Sequence, residues 1–93
     1  MQLILEVRLE DEARGKSRYF QRKVNRPYPS VPSTGDAMDY GEASHRMVRR
    51  IHDVIYLSDG EVTVRSTSGE VNHDPEPQVQ ALRDLGFIET DAG

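Results

Sequence analysis

The chain opens with MQLILEVRLE, in which apolar and polar side chains alternate with a period of two. One set of alternate positions is wholly apolar, namely Leu3, Leu5, Val7 and Leu9. The other set is mostly polar or charged, with Gln2, Glu6, Arg8 and Glu10. Successive side chains of a strand point to opposite faces, so this pattern predicts a half-buried β-strand over residues 2–10. A fold that accommodates it must bury one face of a sheet.

Four further strands are predicted, at 18–26, 36–40, 46–57 and 61–66. A polar loop with Gly15 as its turn residue separates the first two strands and predicts a hairpin. Asp59-Gly60 separates the last two, and this dipeptide favours a tight hairpin turn because glycine adopts positive φ freely.

The segment before that second hairpin admits two interpretations. Its apolar residues fit helical spacing, and Asp39 with Glu42 has the form of a capping box. β-Branched residues, however, crowd positions 48–55, and no helix stop separates Ile51 from Tyr56. We favour one long, bulged strand over 46–57, with a short helix within 40–52 as the alternative.

The C-terminal region predicts one helix over 75–85. Asp74 can cap its start, Pro75 suits the first helical position, and Gly86 is placed to end it. An apolar stripe marks the buried face, consisting of Val79, Leu82 and Leu85. Residues 89–93 are expected to form a frayed tail.

The stretch RPYPSVPSTGD, residues 26–36, has the spacing of a proline-rich recognition peptide. We interpret it instead as an extended connection inside one fold, because prolines cannot donate to a sheet ladder and Gly35-Asp36 suits a strand start. If it were a linker or a ligand, it would be unpacked.

The order of elements over residues 26–66 resembles that of small SH3-like barrels: a proline-containing lead-in, GD, the short strand AMDY, a long strand and a DG hairpin. The resemblance is to an architecture, whose members serve mostly as binding modules for peptides, nucleic acids or partner subunits. The expected fold class is therefore mainly β (α+β), a single domain over 1–93. It would be an antiparallel, strongly bent sheet or SH3-like barrel of about five strands with one C-terminal helix.

The predicted core combines the alternating positions of the strands with the apolar stripe of the helix. Its members are Leu3, Leu5, Val7, Leu9, Val48, Ile51, Val62, Val64, Val79, Leu82, Leu85 and Phe87.

Composition excludes several classes of site. The 93 residues include no cysteine, so disulfides, thiolate metal sites and cysteine nucleophiles are excluded. The three histidines, at 45, 52 and 73, lack the spacing of a metal site, and no phosphate-binding loop or nucleophile elbow occurs. We expect no catalysis, no cofactor and no metal. With no apolar run long enough to cross a membrane, we expect a cytoplasmic protein, and small size with arginine bias suggests a bacterial, plasmid or phage origin.

Basic residues are concentrated in one segment. Residues 14–26 hold six basic side chains and no acid, although the whole chain has a net charge of −4. A strand over 18–26 would place Arg18, Phe20 and Arg22 on one face and Tyr19 on the other. We define the arginine cluster as Arg14, Arg18, Arg22, Arg26, Arg49 and Arg50, with Tyr19 and Phe20 as its aromatic members.

Two functions are consistent with this cluster. The first is a small non-catalytic interaction module that binds a protein partner, at the arginine cluster or at the edge of the strand that follows the prolines. The second is binding of single-stranded nucleic acid, with arginines at the phosphates and an aromatic ring stacked on a base. Exposed arginines paired with the chain's own carboxylates would be a third, purely structural interpretation.

Overall fold

The computed structural model describes residues 2–27, 31–72 and 74–90, with the backbone alone over 67–72. The elements described are β1 Gln2–Asp11, β2 Lys16–Asn25, β3 Ala37–Asp39, β4 Val48–Tyr56, β5 Val62–Asn72, α1 Glu76–Asp84 and β6 Ile88–Thr90. The protein is mainly β with one short helix, as the sequence predicted.

The strands form one six-stranded sheet in the order β3-β4-β5-β1-β2-β6. β1 and β5 run parallel, with Leu3 opposite Val62, whereas the other neighbouring pairs are antiparallel. The predicted all-antiparallel sheet is therefore wrong, because β5 joins the central strand β1 through a parallel ladder. The predicted SH3-like barrel is wrong too, because β3 and β6 lie at opposite edges of an open sheet.

The two hairpins follow from local sequence. β1 and β2 pair from Gln2 opposite Asn25 to Asp11 opposite Lys16, and the turn between them contains Gly15 at a φ of 64°. β4 and β5 are joined through Gly60, whose φ is 91°, next to a hydrogen bond from the Leu57 amide to the Glu61 carbonyl at 2.8 Å.

β4 is a strand and not the alternative helix, and it contains an irregularity. Ile51 lies opposite Ser66 of β5, whereas Asp53 lies opposite Arg65, so His52 is an extra residue in the ladder. Such a bulge lets two residues of one strand oppose one residue of its neighbour. The side chains after His52 therefore change face relative to an unbroken alternation.

The core lies on the face of the sheet that bears Leu3 and Leu5, and α1 covers part of that face. Its buried members are Leu3, Leu5, Val7, Leu9, Phe20, Val24, Met38, Tyr40, Ile51, Val62, Val64, Val79, Leu82 and Phe87. Val48 was predicted there wrongly: it is 65% exposed, because it lies three residues before Ile51 and so faces the other way. Leu85 is partly buried against the core.

Tyr40 is the largest fully buried side chain of the described residues, and the sequence analysis did not predict it. Its hydroxyl donates to the Val64 carbonyl at 2.6 Å, and its ring stacks on Phe87 with the centroids 6.3 Å apart. Burial raises the pKa of the Tyr40 hydroxyl above its ordinary value. The residue thereby links the segment after β3 to the segment after α1.

α1 begins one residue later than predicted, with Pro75 at the N-cap position. The Asp74 carboxylate accepts a hydrogen bond from the Glu76 amide at 3.2 Å, which satisfies one free donor of the first turn. At the other end Gly86 has a φ of 91°, and the Phe87 amide donates to the Leu82 carbonyl at 3.0 Å. This left-handed stop directs Phe87 back into the core.

The chain after α1 departs from the prediction of a frayed tail over 89–93. Ile88–Thr90 forms β6, in which Glu89 lies opposite Phe20 and Thr90 opposite Tyr19. Residues 91–93 lie outside the described residues.

The proline-containing connection is only partly described, since residues 28–30 lie outside the described residues. Val31 packs against the core, and the Gly35 amide donates to the Ile51 carbonyl at 2.9 Å. These contacts favour a fixed connection within the fold over a ligand peptide.

Candidate interaction surface

Arg18 lies at the junction of β2, β6 and α1 and is only 5% exposed. Its guanidinium donates to both carboxylate oxygens of Glu89, at 2.7 and 2.9 Å, and to Glu76 at 3.2 Å. Asp11 lies 3.5 Å away as a third acid. The hydrogen bond to Glu89 raises the pKa of Arg18, and the same bond lowers the pKa of Glu89. Arg18 therefore holds β6 and α1 against the sheet.

Arg22 also contacts this chain's own groups, at the C-terminal end of α1. It donates to the Leu85 carbonyl at 2.6 Å, and its guanidinium carbon lies 5.7 Å from the centroid of the Phe87 ring. Glu42 forms a salt bridge with it. A cation at the C-terminal end of a helix stabilises the carbonyl groups that have no partner within the helix.

Arg26 binds the segment that follows β3. It donates to the backbone carbonyls of Asp39 and Gly41, the latter at 2.6 Å. The residue therefore fixes the path of the chain toward β4.

Arg14 and Arg50 are the exposed members of the arginine cluster. The Arg14 side chain lies 3.5 Å from the Asp11 carboxylate, and Arg50 donates to the Gly35 carbonyl at 2.6 Å. They belong to different parts of the sheet, since Arg14 is in the β1–β2 turn and Arg50 is in β4 near the opposite edge.

Arg49 is partly buried at the junction of β4 and β5. Its Nε contacts the Ser66 hydroxyl at 3.4 Å, whereas its Nη2 is buried without a hydrogen-bond partner among the described residues. Burial lowers the pKa of the Arg49 guanidinium. A buried charge without a carboxylate destabilises the fold, because desolvation is not compensated.

The two aromatic members of the arginine cluster lie on opposite faces of β2. Phe20 is fully buried in the core, whereas Tyr19 is half-buried on the other face, opposite Arg8. Arg18, Phe20 and Arg22 do share one face, but that face is the core. The structure therefore brings these three together as packing and ion-pair partners of α1 and β6.

The other face of the sheet carries a row of charged and polar side chains. Arg65 lies 3.3 Å from Glu6 and 3.7 Å from Asp53, and Gln21 donates to Glu6 at 2.9 Å. The row crosses β4, β5, β1 and β2, and its charges are paired with one another.

The histidines do not form a metal site in the described part of the chain. His45 and His52 are exposed, in the segment before β4 and in the bulge of β4 respectively, and His73 lies outside the described residues. The described residues include no group of three or more side chains that could hold a metal ion.

The outer side of β4 is the feature that sequence analysis missed. β3 pairs with Val48–Arg50, and the segment before β3 reaches as far as Ile51. Beyond Ile51, no described strand pairs with the outer side of Asp53–Tyr56. We call this outer side the open edge.

Backbone geometry shows which groups of β4 face the open edge. The Leu57 amide points inward, because it donates to Glu61 of the hairpin, and the Ile51 amide points outward, because it donates to the Asp36 carbonyl. Residues of an antiparallel strand alternate between these directions, and the bulge at His52 adds one residue. Val54 and Tyr56 therefore direct their amide and carbonyl groups toward the open edge.

Side chains around the open edge are largely apolar. Tyr56 is 70% exposed and Leu57 is 40% exposed, while Val54 and Ile55 are partly buried. Asp53 is the polar exception, and its carboxylate accepts the outward Val54 amide at 2.9 Å. Among the described residues, no group binds the outward amide and carbonyl of Tyr56. The consecutive apolar residues at 54–57 are the sequence signal that could have indicated this surface.

A second candidate surface lies at the opposite edge. A shallow groove of about 440 Å³ is lined by Ile4, Gln21, Lys23 and Ile88, among others, and Ile88 is 70% exposed. The neighbouring strand β6 has three residues, so it offers a shorter ladder than β4.

Comparisons with models of known protein families, with curated proteins and with solved structures found no match. The SH3-like resemblance therefore has no support from a relative. No helix in the described part of the chain is long and apolar enough to span a membrane.

Proposed function

We propose that this protein is a small non-catalytic interaction module that binds a protein partner by strand addition at the open edge. The observation that carries this proposal is the outer side of Asp53–Tyr56, with which no described strand pairs and at which the Tyr56 side chain is exposed. An unpaired ladder of amide and carbonyl groups provides affinity for an extended segment, and alternate side chains provide specificity.

The position of the arginine cluster favours a protein ligand over a nucleic acid. Nucleic-acid binding by the cluster needs guanidinium groups at the surface and an aromatic ring free to stack on a base. Arg18 and Arg22 instead contact acids and carbonyls of this chain, and Phe20 is fully buried. Only Arg14 and Arg50 within the described cluster are exposed, and they lie in distant strands or turns.

A random peptide library tests the proposal and does not require the partner to be identified. Peptides selected on the wild-type protein are expected to have alternating apolar residues and to bind at least tenfold more weakly to Tyr56→Lys. A lysine beside the ladder places a charge where an added strand must pack. Because Tyr56 is already 70% exposed, this substitution is expected to leave the melting temperature nearly unchanged.

The matched control is Ile88→Lys, since Ile88 is also 70% exposed and lies at the other edge. Selected peptides should bind this variant as they bind the wild type. If the selected peptides bind the Tyr56→Lys variant as they bind the wild type, but no longer bind the Ile88→Lys variant, the binding site is the groove beside β6 and not the open edge. Binding of single-stranded oligonucleotides that weakens steeply with salt, without any selected peptide, would instead support the nucleic-acid function.

A further inference from the structure

We infer that one ligand of the open edge is a second copy of this chain, which pairs its own β4 antiparallel to the first. This inference rests on the proposed function, because it uses the same edge. A twofold symmetric contact requires a surface that is complementary to itself. The sequence and register of β4 meet that requirement in one arrangement.

The arrangement follows from the residues whose backbone groups face outward. Val54 and Tyr56 must pair with outward residues of the second copy, which leaves three symmetric registers near the centre of the edge. Centring the axis on Val54 would bring Leu57 of the second copy, which still belongs to the β4–β5 ladder, against Ile51, whose outward groups already bind Gly35 and Asp36. With the axis on Ile55 the residue opposite Ile51 is Asp59, in the turn beyond that ladder. Centring it on Tyr56 would place Asp53 opposite Asp59 of the second copy, and like charges directly opposite are destabilising.

The remaining register centres the axis on Ile55. Each Val54 then lies opposite Tyr56 of the second copy, and the two Ile55 side chains lie opposite each other. Val54 and Tyr56 project to the core side of the sheet, because they lie opposite the core residues Val64 and Val62, and Ile55 projects to the other side. Around the axis, apolar side chains therefore meet on both faces of the joined sheet, and Asp53 lies opposite Leu57 of the second copy.

Charges at the two ends of the edge favour the same antiparallel direction. Arg50 is exposed in the first half of β4, and Asp59 is exposed in the turn that follows the strand. Antiparallel pairing in this register places Asp59 of each copy opposite Ile51 of the other, next to Arg50. A parallel arrangement would instead bring the two Arg50 side chains near each other and the two Asp59 side chains near each other.

Asp53 limits the strength of this contact. Two hydrogen bonds, from each Tyr56 amide to the opposite Val54 carbonyl, can form while the Asp53 carboxylate stays on the Val54 amide. The two other hydrogen bonds, from each Val54 amide to the opposite Tyr56 carbonyl, require the Asp53 carboxylate to leave the Val54 amide. Arg65, at 3.7 Å, is the cation to which that carboxylate can turn. Removing the carboxylate should therefore strengthen self-association.

Sedimentation equilibrium of the wild type and three variants tests the inference. The wild type is expected to show a concentration-dependent dimer, Tyr56→Lys to weaken it at least tenfold, and Asp53→Ala to strengthen it severalfold. Ile88→Lys is the control and should dimerise as the wild type does. A wild type that stays monomeric while selected peptides bind the open edge overturns the second-copy inference and leaves the proposed function standing. A monomer that binds no peptide overturns both.

A cysteine substitution tests the register, since the chain has no cysteine of its own. Facing residues in a pair without mutual hydrogen bonds have Cα atoms about 4.5 Å apart, within the range of about 4.4–6.8 Å that a disulfide spans. Ile55→Cys should therefore form a covalent dimer on mild oxidation, much faster than Ile88→Cys. Equal rates for the two variants, or faster dimerisation of Tyr56→Cys than of Ile55→Cys, would contradict the proposed register.

Discussion

Arg18 and Glu89 form a two-point ion pair in which Nε and Nη2 of the guanidinium donate to the two carboxylate oxygens, at 2.9 and 2.7 Å. The pair joins β2 to β6, and Glu76 of α1 binds the same guanidinium at 3.2 Å. A short strand of three residues has few ladder bonds of its own. Much of the attachment of β6 therefore depends on Arg18.

Replacing Arg18 with methionine should lower the free energy of unfolding by about 2–3 kcal/mol, which is below the range of about 3–5 kcal/mol for fully buried pairs. The expected loss lies below that range because the acidic partners of Arg18 are partly exposed; the Glu89 side chain, for example, is 32% exposed. Urea denaturation measures the change. Arg14→Met is the matched control, and because Arg14 is exposed it should change the value by less than about 0.5 kcal/mol. Equal effects of the two substitutions would contradict this role of Arg18.

The same ion pair predicts how stability depends on pH. Arg18 lowers the pKa of Glu89, and the Met47 amide, followed by the Gly41 amide, lowers the pKa of Asp39. A carboxyl whose pKa is lower in the folded state binds protons more readily when unfolded, so its stabilisation is present above the unfolded pKa, about 4.3 for Glu and 3.9 for Asp. Stability should thus fall as the pH drops from about 5 through the lowered folded pKa values. Denaturation curves at successive pH values should show this fall, and Glu89→Gln should make it shallower. If stability falls as steeply with pH in the Glu89→Gln variant as in the wild type, the Arg18–Glu89 ion pair is not a source of the pH dependence.

Gly41 is predicted to tolerate no side chain, for steric reasons. A Cβ at this position would overlap the His45 carbonyl oxygen and lie 3.0 Å from the Met47 nitrogen, and both are backbone atoms that cannot rotate away. Gly41→Ala should lower the free energy of unfolding by more than about 2 kcal/mol. Gly15→Ala is the comparison, because its φ of 64° imposes strain but nothing lies within 4 Å. Its cost should be about 1 kcal/mol. Thermal denaturation of both variants measures the two losses of stability. A smaller loss for Gly41→Ala than for Gly15→Ala would be inconsistent with the clash.

Arg49 should be replaceable with a gain in stability. Its Nη2 is buried without a partner among the described residues, and burial lowers the pKa of the group. Arg49→Met keeps an unbranched apolar stem and removes the uncompensated charge, so the free energy of unfolding should rise by about 1 kcal/mol. Arg50→Met, at the exposed neighbouring position, should not raise it. A marked destabilisation by Arg49→Met would show that the guanidinium has a stabilising contact after all.

The sequence predicted what is determined locally. The period-two pattern of residues 2–10 corresponds to β1, Asp59-Gly60 to the β4–β5 turn, and Gly86 to the end of α1. In each case the deciding interaction lies within a few residues of the signal.

The features that were missed depend on contacts between distant parts of the chain. β1 and β5 are about 60 residues apart in the sequence, and nothing in either strand indicates a parallel partner. Thr90 and Glu89 form β6 only because β2 and Arg18 are there to bind them. An exposed arginine and an arginine held by Glu89 have the same sequence signal, so the roles within the arginine cluster could not be predicted.

The open edge illustrates the same limit. Residues 54–57 form an apolar run whose exposure depends on where β3 stops pairing, and β3 covers β4 only over Val48–Arg50. The run was therefore predicted as part of a strand, but its position at an edge was not.

Amide hydrogen exchange at Tyr56 tests the open edge most directly. In the free monomer its outward amide is expected to exchange rapidly, while the inward Leu57 amide, bound to Glu61 at 2.8 Å, exchanges slowly. Addition of a selected peptide, or dimerisation at high protein concentration, should slow exchange at Tyr56 at least tenfold and leave Ile88 unchanged. If the ligand binds while Tyr56 continues to exchange at its free rate, the open edge is not the binding surface.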